Sequence, residues 1–330
     1  MLVMPGHAGI FSEFQRNLEQ LGFRVHLITE CPVFRDNSPK FRYQNFFQRI
    51  ANLLHKIIGD RGYKKRLVIE FLKNHVSREI QKCGYVDYAL VIRPDIFTHE
   101  QLKKIQSLSS RCYAYHWDGI ARFPGVEERQ QYFRKFYVFD PRDARPEMGI
   151  HHLGNFWFDH VAPSGGLAEP AVDVYFIGGR DARTSFILET ASRLCRHGQS
   201  ISMRIVGPVA GIQTSLKGIL FTEVLLSYAE NLVHVRSARV ILDVTHLDMH
   251  QGFSLRVFEA LGAEKKLITT NPRILECDFY HPNNIHLLTD DDDALAGFLA
   301  KPYVPIDPAI RLRYGFTSWI SRVLELDPTV

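Results

Sequence analysis

The polar and apolar positions of this chain alternate between short apolar runs and longer stretches of helical periodicity. Residues 2–4 (LVM) make a strand-sized run and 5–9 (PGHAG) a turn-forming loop. A helical stretch over 12–20 ends at Gly22, where a C-cap glycine is expected, and 23–29 (FRVHLIT) reads as the second strand. Strand, glycine loop, helix and strand in that order make a βαβ unit, which requires a parallel sheet. The runs 88–93 (YALVIR), 112–117 (CYAYHW) and 136–139 (FYVF) continue as buried strands, and the spacing predicts a helix over 98–108.

Residues 155–170 (NFWFDHVAPSGGLAEP) break this rhythm with proline, glycine and serine, so a domain boundary is expected there. The alternation then resumes. Strands are expected at 172–177, 202–206, 240–244, 266–270 and 284–288, and helices over 184–197 and 254–262. A last helical stretch, 308–326, carries Tyr314, Phe316 and Trp319. Two successive βα repeats give an α/β chain of two Rossmann-like, doubly wound parallel-sheet domains facing a cleft. The expected division is an N-terminal domain over 1–160, a linker over 161–171 and a C-terminal domain over 172–307. The remainder, 308–330, is expected to pack back on the N-terminal domain.

Composition narrows the class. With 45% hydrophobic and 23% charged residues the chain reads as an ordinary folded protein. No apolar run approaches the ~20 residues of a membrane span, and the first residues lack the pattern of a signal peptide. A cytoplasmic location is therefore expected. The five cysteines lie far apart without a Cys-x-x-Cys pair, which argues against a disulfide framework and against a zinc site.

The passage 250–262 (HQGFSLRVFEALG) carries the chemistry. A strand ends at Val244, a polar loop follows, and Gly252 precedes a helix that starts near Ser254. Unpaired amides at a helix start, with the helix dipole, favour an anion such as a diphosphate. Gly252 is expected to let the ligand approach the backbone. Gln251 and Glu259, eight positions apart, can both face the cleft, and Glu259 can accept hydrogen bonds from two ribose hydroxyls.

This passage resembles the donor-site signature of GT-B glycosyltransferases, a Glu-Gly-Phe followed by a Glu-Ala eight residues after the first Glu. Gly252-Phe253 and Glu259-Ala260 match it, and Gln251 stands where many retaining members carry Glu. The run 176–180 (FIGGR) resembles the first C-domain strand and its phosphate-facing loop, where Arg180 and Arg183 fall. The segments 205–207, 224–232 and 238–242 resemble the next strand end and the helix and strand beside the base. The stretch 251–285 also resembles CgeB-like and other proteins of bacterial polysaccharide and lipopolysaccharide gene clusters.

The resemblance implies sugar transfer from a nucleotide-sugar, UDP-linked, to a glycan or lipid-linked acceptor, with no cofactor and no metal. Gly9, Arg180, Arg183, Gln251, Gly252, Phe253, Ser254, Arg256 and Glu259 would meet the donor, and His7 the acceptor. Asp118 or His116, at a strand end facing the cleft, could serve as general base, although Asp118-Gly119 is also a common turn pair. Asp290–Asp293 contains a D-x-D but precedes a helix, where aspartates cap. His151-His152 has no partner at metal-ligand spacing. A sugar-nucleotide epimerase of the same architecture, or a non-catalytic nucleotide- or glycan-binding protein, stays open beside the transferase.

The net charge of +4 is unevenly placed: residues 35–82 hold twelve basic and four acidic side chains. Within them Phe46, Phe47, Ile50, Leu53, Leu54, Ile57 and Ile58 recur at helical spacing. Their apolar face is expected to cover the sheet; the other reading is contact with an anionic membrane. No nucleic-acid motif accompanies the charge, so no nucleic-acid partner is expected.

Overall fold

The computed structural model describes residues 1–30, 43, 45–60, 62–160, 170–209, 211 and 214–326. The N-terminal sheet is built from β1 (Leu2–Met4), β2 (Leu27–Thr29), β3 (Val86–Ile92), β4 (Ser109–His116), β5 (Lys135–Val138) and β6 (Ile150–His152), with helices α1 (Ile10–Gln20), α2 (Phe46–Ile57), α3 (Tyr63–Lys82) and α4 (His99–Ser107) between them. Its strands are parallel in the order β2-β1-β3-β4-β5-β6. The second sheet contains β7 (Val172–Gly179), β8 (Ile201–Val206), β9 (Ile219–Thr222), β10 (Ala238–Asp243), β11 (Lys266–Thr269) and β12 (Ile285–Leu287). It is also parallel, in the order β12-β11-β10-β7-β8-β9. Its helices are α5 (Thr184–Arg196), α6 (Tyr228–Ser237), α7 (Leu255–Gly262) and α8 (Asp292–Ala300), and α9 (Pro308–Leu312) and α10 (Phe316–Leu324) follow.

Central strands of such sheets are buried on both faces, which is why β3 and β10 read as continuous apolar runs rather than alternating ones. The helices start where their sequences cap them. Thr98 with Gln101 opens α4, and Ser227 with Glu230 opens α6, both as capping boxes.

Several elements depart from the sequence expectation. The second strand is only 27–29, because the edge pairs no further than the three residues of β1 it faces. β6 and β9, of three and four residues, carry too little periodicity to be read. The helix expected over 224–232 starts at its cap, Ser227, and runs to Ser237. The long helix expected over 308–326 is two, because the chain turns at Tyr314-Gly315 to pair with Trp157: Trp157 N–H donates to Tyr314 O and Phe316 N–H to Trp157 O, at 3.0 and 2.8 Å.

The aromatic part of the expected boundary, 155–160, is not a loose connection. Phe156, Trp157 and Phe158 are buried, and Phe14 of α1 meets Phe156, Phe158, Phe316 and Trp319 with ring centroids 5.4–5.9 Å apart, all four edge to face. α10 thus packs on the N-terminal sheet, with Trp319 against Tyr115 and Glu325 paired to Arg134 and Lys135 at 2.6 Å. Residues 161–169 of the expected linker lie outside the described residues, as do Arg35, Lys40, Arg42 and Arg61 of the basic stretch.

The apolar face of α2 does not cover the sheet, contrary to expectation. Phe46, Phe47, Ile50, Leu53, Leu54, Ile57 and Ile58 are exposed, with Phe47 78% and Ile58 75% accessible. Instead the polar side of α2 faces the body, where His55 stacks on Tyr63 of α3 with centroids 4.1 Å apart.

These burials set an expected contrast. Trp319→Ala removes a fully buried indole and should lower unfolding stability by about 3–5 kcal/mol. Phe47→Ala should cost less than about 0.5 kcal/mol. Denaturant titration of both variants checks the pair.

Candidate functional site

Strand order reverses at one place in each sheet, between β1 and β3 and between β7 and β10. In open α/β sheets ligands bind outside the carboxyl ends of strands at such points. The loops there are 5–9 and 93–98 in the first sheet, and 180–183 and 244–254 in the second. The two sheets present these ends to each other. A Cβ on Gly119, after β4, would lie 2.8 Å from Met249 O. Asp140, after β5, accepts the Gln251 N–H at 2.8 Å, and Asn155 Nδ2 donates to Phe253 O at 2.9 Å. Phe139 and His250 rings lie 5.1 Å apart.

At the second sheet the organising group is Asp243, a buried carboxylate at the end of β10 that the sequence reading passed over. It accepts from Ser254 Oγ at 2.7 Å and from Thr245 and Thr269 hydroxyls at 3.0 Å each. Ser254 occupies the N-cap of α7, yet its hydroxyl is committed to Asp243 and makes no cap bond. The first turn of α7 therefore has no side-chain cap. Arg256 turns back over the Phe176 ring, 5.3 Å from its centroid, with Nη1 3.8 Å from Asp243.

Packing alone requires glycine at 252, since a Cβ there would meet the Phe139 ring and carbonyl at 2.6 Å. Phe253 packs at 6.4 Å from Phe258. Gln251 is anchored through its backbone, to Asp140 and to Asn271 Nδ2 at 3.0 Å.

Glu259 does not face an open cleft. It is 5% exposed and turned toward α6, where Asn231 Nδ2 donates to Oε1 at 3.3 Å and the Tyr228 ring lies alongside. Its Oε2 and the Tyr228 hydroxyl each fall short of a well-formed hydrogen bond, yet the two lie close enough for each to shift the other's proton affinity. Burial raises the Glu259 carboxyl above the usual range, against the pull of Tyr228, Arg256 and Asn231. The reason is the helix itself. From Val257 onward α7 is enclosed, so a carboxylate one turn in cannot reach solvent.

The two arginines after β7 sit at the crevice but are engaged. Arg180 Nη1 donates to Pro208 O. Arg183 pairs with Asp181 and donates to Val244 O, at 2.5 Å each.

On the facing sheet Gly9 holds a left-handed φ of 70° as the N-cap of α1. His7 keeps an exposed imidazole, but crowding by the surrounding protein, then the charge of Arg93, holds its proton affinity below the ordinary histidine value. Arg93, another residue the sequence reading missed, has a left-handed φ of 58°, strained for a side chain. It is fixed by two 2.7 Å bonds to Asp95 and by the Phe123 ring 4.1 Å away.

His116 is fully buried, with Nδ1 2.7 Å from Asp118 O and Nε2 3.1 Å from Asp95 Oδ1. Both ring nitrogens are committed, so it holds the Asp118 loop rather than meeting a substrate. The Asp118 carboxylate is partly exposed and takes Arg122 Nη1 at 2.9 and 3.0 Å. The turn reading of Asp118-Gly119 also has its bond, Gly119 N–H to Asp118 Oδ1 at 3.0 Å.

Of the aspartate run, Asp291 caps α8 by accepting Ala294 N–H at 2.9 Å, and Asp292 pairs with Arg193 at 2.9 Å. Among the described residues no three His, Cys, Asp or Glu side chains gather as a metal site.

No family model matches this sequence, and no curated protein does. Solved structures do. An α,α-trehalose-phosphate synthase (UDP-forming) from Burkholderia vietnamiensis superposes with TM-score 0.53 at 12% identity, over 98% of both chains. An α-glucosyltransferase in complex with UDP-glucose and DNA containing an abasic site gives 0.51 at 10%, over 98% of this chain and 92% of that one. The UDP-GlcNAc 2-epimerase of Methanocaldococcus jannaschii gives 0.50 at 13%, over 98% of both. The fold is thus the two-domain, Rossmann-like GT-B arrangement.

The largely enclosed Asp95 supplies a pH test. Desolvation alone would raise its carboxyl, but the bonds from Arg93 and His116 outweigh it and hold the group well below the usual range. A depressed carboxyl contributes stability above its unfolded value, near pH 4, and loses it as pH falls further. Asp95→Asn should cost about 2–4 kcal/mol at pH 7. The gap from wild type should narrow steadily below pH 4, as read by urea unfolding across the acid range.

Proposed function

We propose that this chain transfers a sugar from a nucleoside-diphosphate donor, UDP-linked, to a glycan or lipid-linked acceptor. The observation that carries the reading is the buried Glu259 carboxylate, whose Oε2 completes no well-formed hydrogen bond and has the Tyr228 hydroxyl beside it, behind a helix start that has no side-chain cap, beside the β7–β10 crevice. A buried carboxylate short of a donor is costly, and a ribose diol supplies two. The diphosphate would sit on the first-turn amides of α7 with Arg180 and Arg256 near it, stabilising charge on the leaving group. Because Oε2 is closed off, the nucleotide enters when the domains part. The contacts that would have to part include the hydrogen bonds of Asp140 and Asn155. Reclosure would then exclude water from the reacting centre.

Gly9 and His7 would border the acceptor, and Asp118 would accept its hydroxyl proton, positioned by His116 from below. The reaction needs no cofactor and no metal, since amides and guanidiniums carry the phosphate charge. A role in cell-surface polysaccharide synthesis, on the cytoplasmic side of the membrane, follows from the resemblance to CgeB-like proteins. An epimerase would use the same donor site and consume no acceptor. Nucleoside diphosphate released in step with acceptor, from a panel of sugar nucleotides, supports transfer; isomer formed without acceptor supports the epimerase.

Two outcomes are expected. Glu259→Ala should weaken UDP binding by about 1.5–3 kcal/mol for each hydroxyl bond lost, measured by calorimetry; unchanged affinity removes Glu259 from the donor site. Turnover should persist in EDTA, and activity that vanishes there and returns with manganese would contradict the metal-free mechanism.

A further inference from the structure

The face of α2 that the fold leaves open calls for a covering. Its seven apolar side chains fall within an arc of about 140° at 100° per residue, and all seven point to solvent. The opposite, polar side is the one packed on α3. A helix whose only function was to complete the core would be turned the other way. Two exposed Phe and four exposed aliphatic residues on one 12-residue helix, with Ile58 at its C-cap, make a contiguous patch of a kind monomeric surfaces seldom keep.

The charges around the patch choose its occupant. Residues 46–58 contain no acidic side chain. Arg49 and Lys56 lie near the edge of the apolar arc, and the first turn of α3 adds exposed Lys64 and Lys65, while Arg66 is already paired with Asp60. A second copy placed face to face would bring these basic groups against their own kind. An anionic lipid surface neutralises them while its acyl boundary takes the apolar side chains. At about 18 Å long α2 is too short to span a bilayer, and among the described residues no helix is long and apolar enough to cross one. It fits lying in the plane of the interface.

We infer that α2 is an in-plane membrane anchor, inserting Phe46, Phe47, Leu53, Leu54, Ile57 and Ile58 into the headgroup boundary of an anionic bilayer. The anchor belongs to the N-terminal domain, on which the acceptor loops lie. Docking stands on exposure and charge alone; only its use, bringing a lipid-linked acceptor to His7 and Asp118, rests on the sugar-transfer reading.

The test is flotation of the full chain at low salt with vesicles of phosphatidylglycerol and phosphatidylcholine in equal parts, and with phosphatidylcholine alone. Wild type should float with the first and remain behind with the second. Phe47→Ser with Ile57→Ser should cut the bound fraction about tenfold or more without shifting the thermal melt, since both side chains are exposed. Lys64→Gln with Lys65→Gln should weaken binding and flatten its dependence on salt.

Wild type left in the soluble fraction overturns the inference. So does a Phe47→Ser, Ile57→Ser variant that floats like wild type, because charge alone would then account for binding. A lipid-free dimer that the same variant dissociates, with no flotation, would assign the face to a second copy. None of these readouts involves turnover, so the anchor and the sugar-transfer reading fail separately.

Discussion

The edge-to-face cluster around Phe14 is the contact on which the arrangement of both domains depends. Four rings from two distant segments close on one side chain of α1: Phe156 and Phe158 from the crossing between sheets, and Phe316 and Trp319 from the end of the chain. Rings in such geometry contribute beyond the area they bury. Here they tie both chain crossings to the N-terminal domain, and Tyr228 and Leu232 of α6 join the same cluster from the second domain.

Much of the architecture is legible in the sequence because parallel sheets use long apolar strands and periodic helices in strict alternation. The 88–93 and 240–244 runs lie on β3 and β10 for that reason. Features set by tertiary context are not legible. β9 forms because β8 offers an open edge, and α9 and α10 separate because Trp157 claims the backbone at Gly315. The orientation of α2 is the clearest instance. Periodicity marks an apolar face, but only packing decides whether that face turns inward.

The candidate site divides in the same way. The helix start at Ser254 follows from spacing, whereas the burial of Glu259 against α6 and the partner of each side chain do not. Asp243 takes the Ser254 hydroxyl, Phe139 fills the space above Gly252, and Asp95 occupies His116. Each involves a residue far away in sequence or a strand-end acid with no motif around it. Solved structures of the same fold include sugar transferases and an epimerase, so chemistry must be argued from these side chains and not from the fold.

The pairing of Trp157 with the turn before α10 bears on how the chain reaches its native state. α10 comes after every strand of the second domain, yet its Trp319 completes the core of the first. Domains commonly fold in the order of their synthesis. Here the first to emerge remains unfinished until the second has been made, with Phe14 and Tyr115 uncovered in the interval. Assembly is therefore circular rather than sequential, and the half that emerges earlier is the one that is completed last.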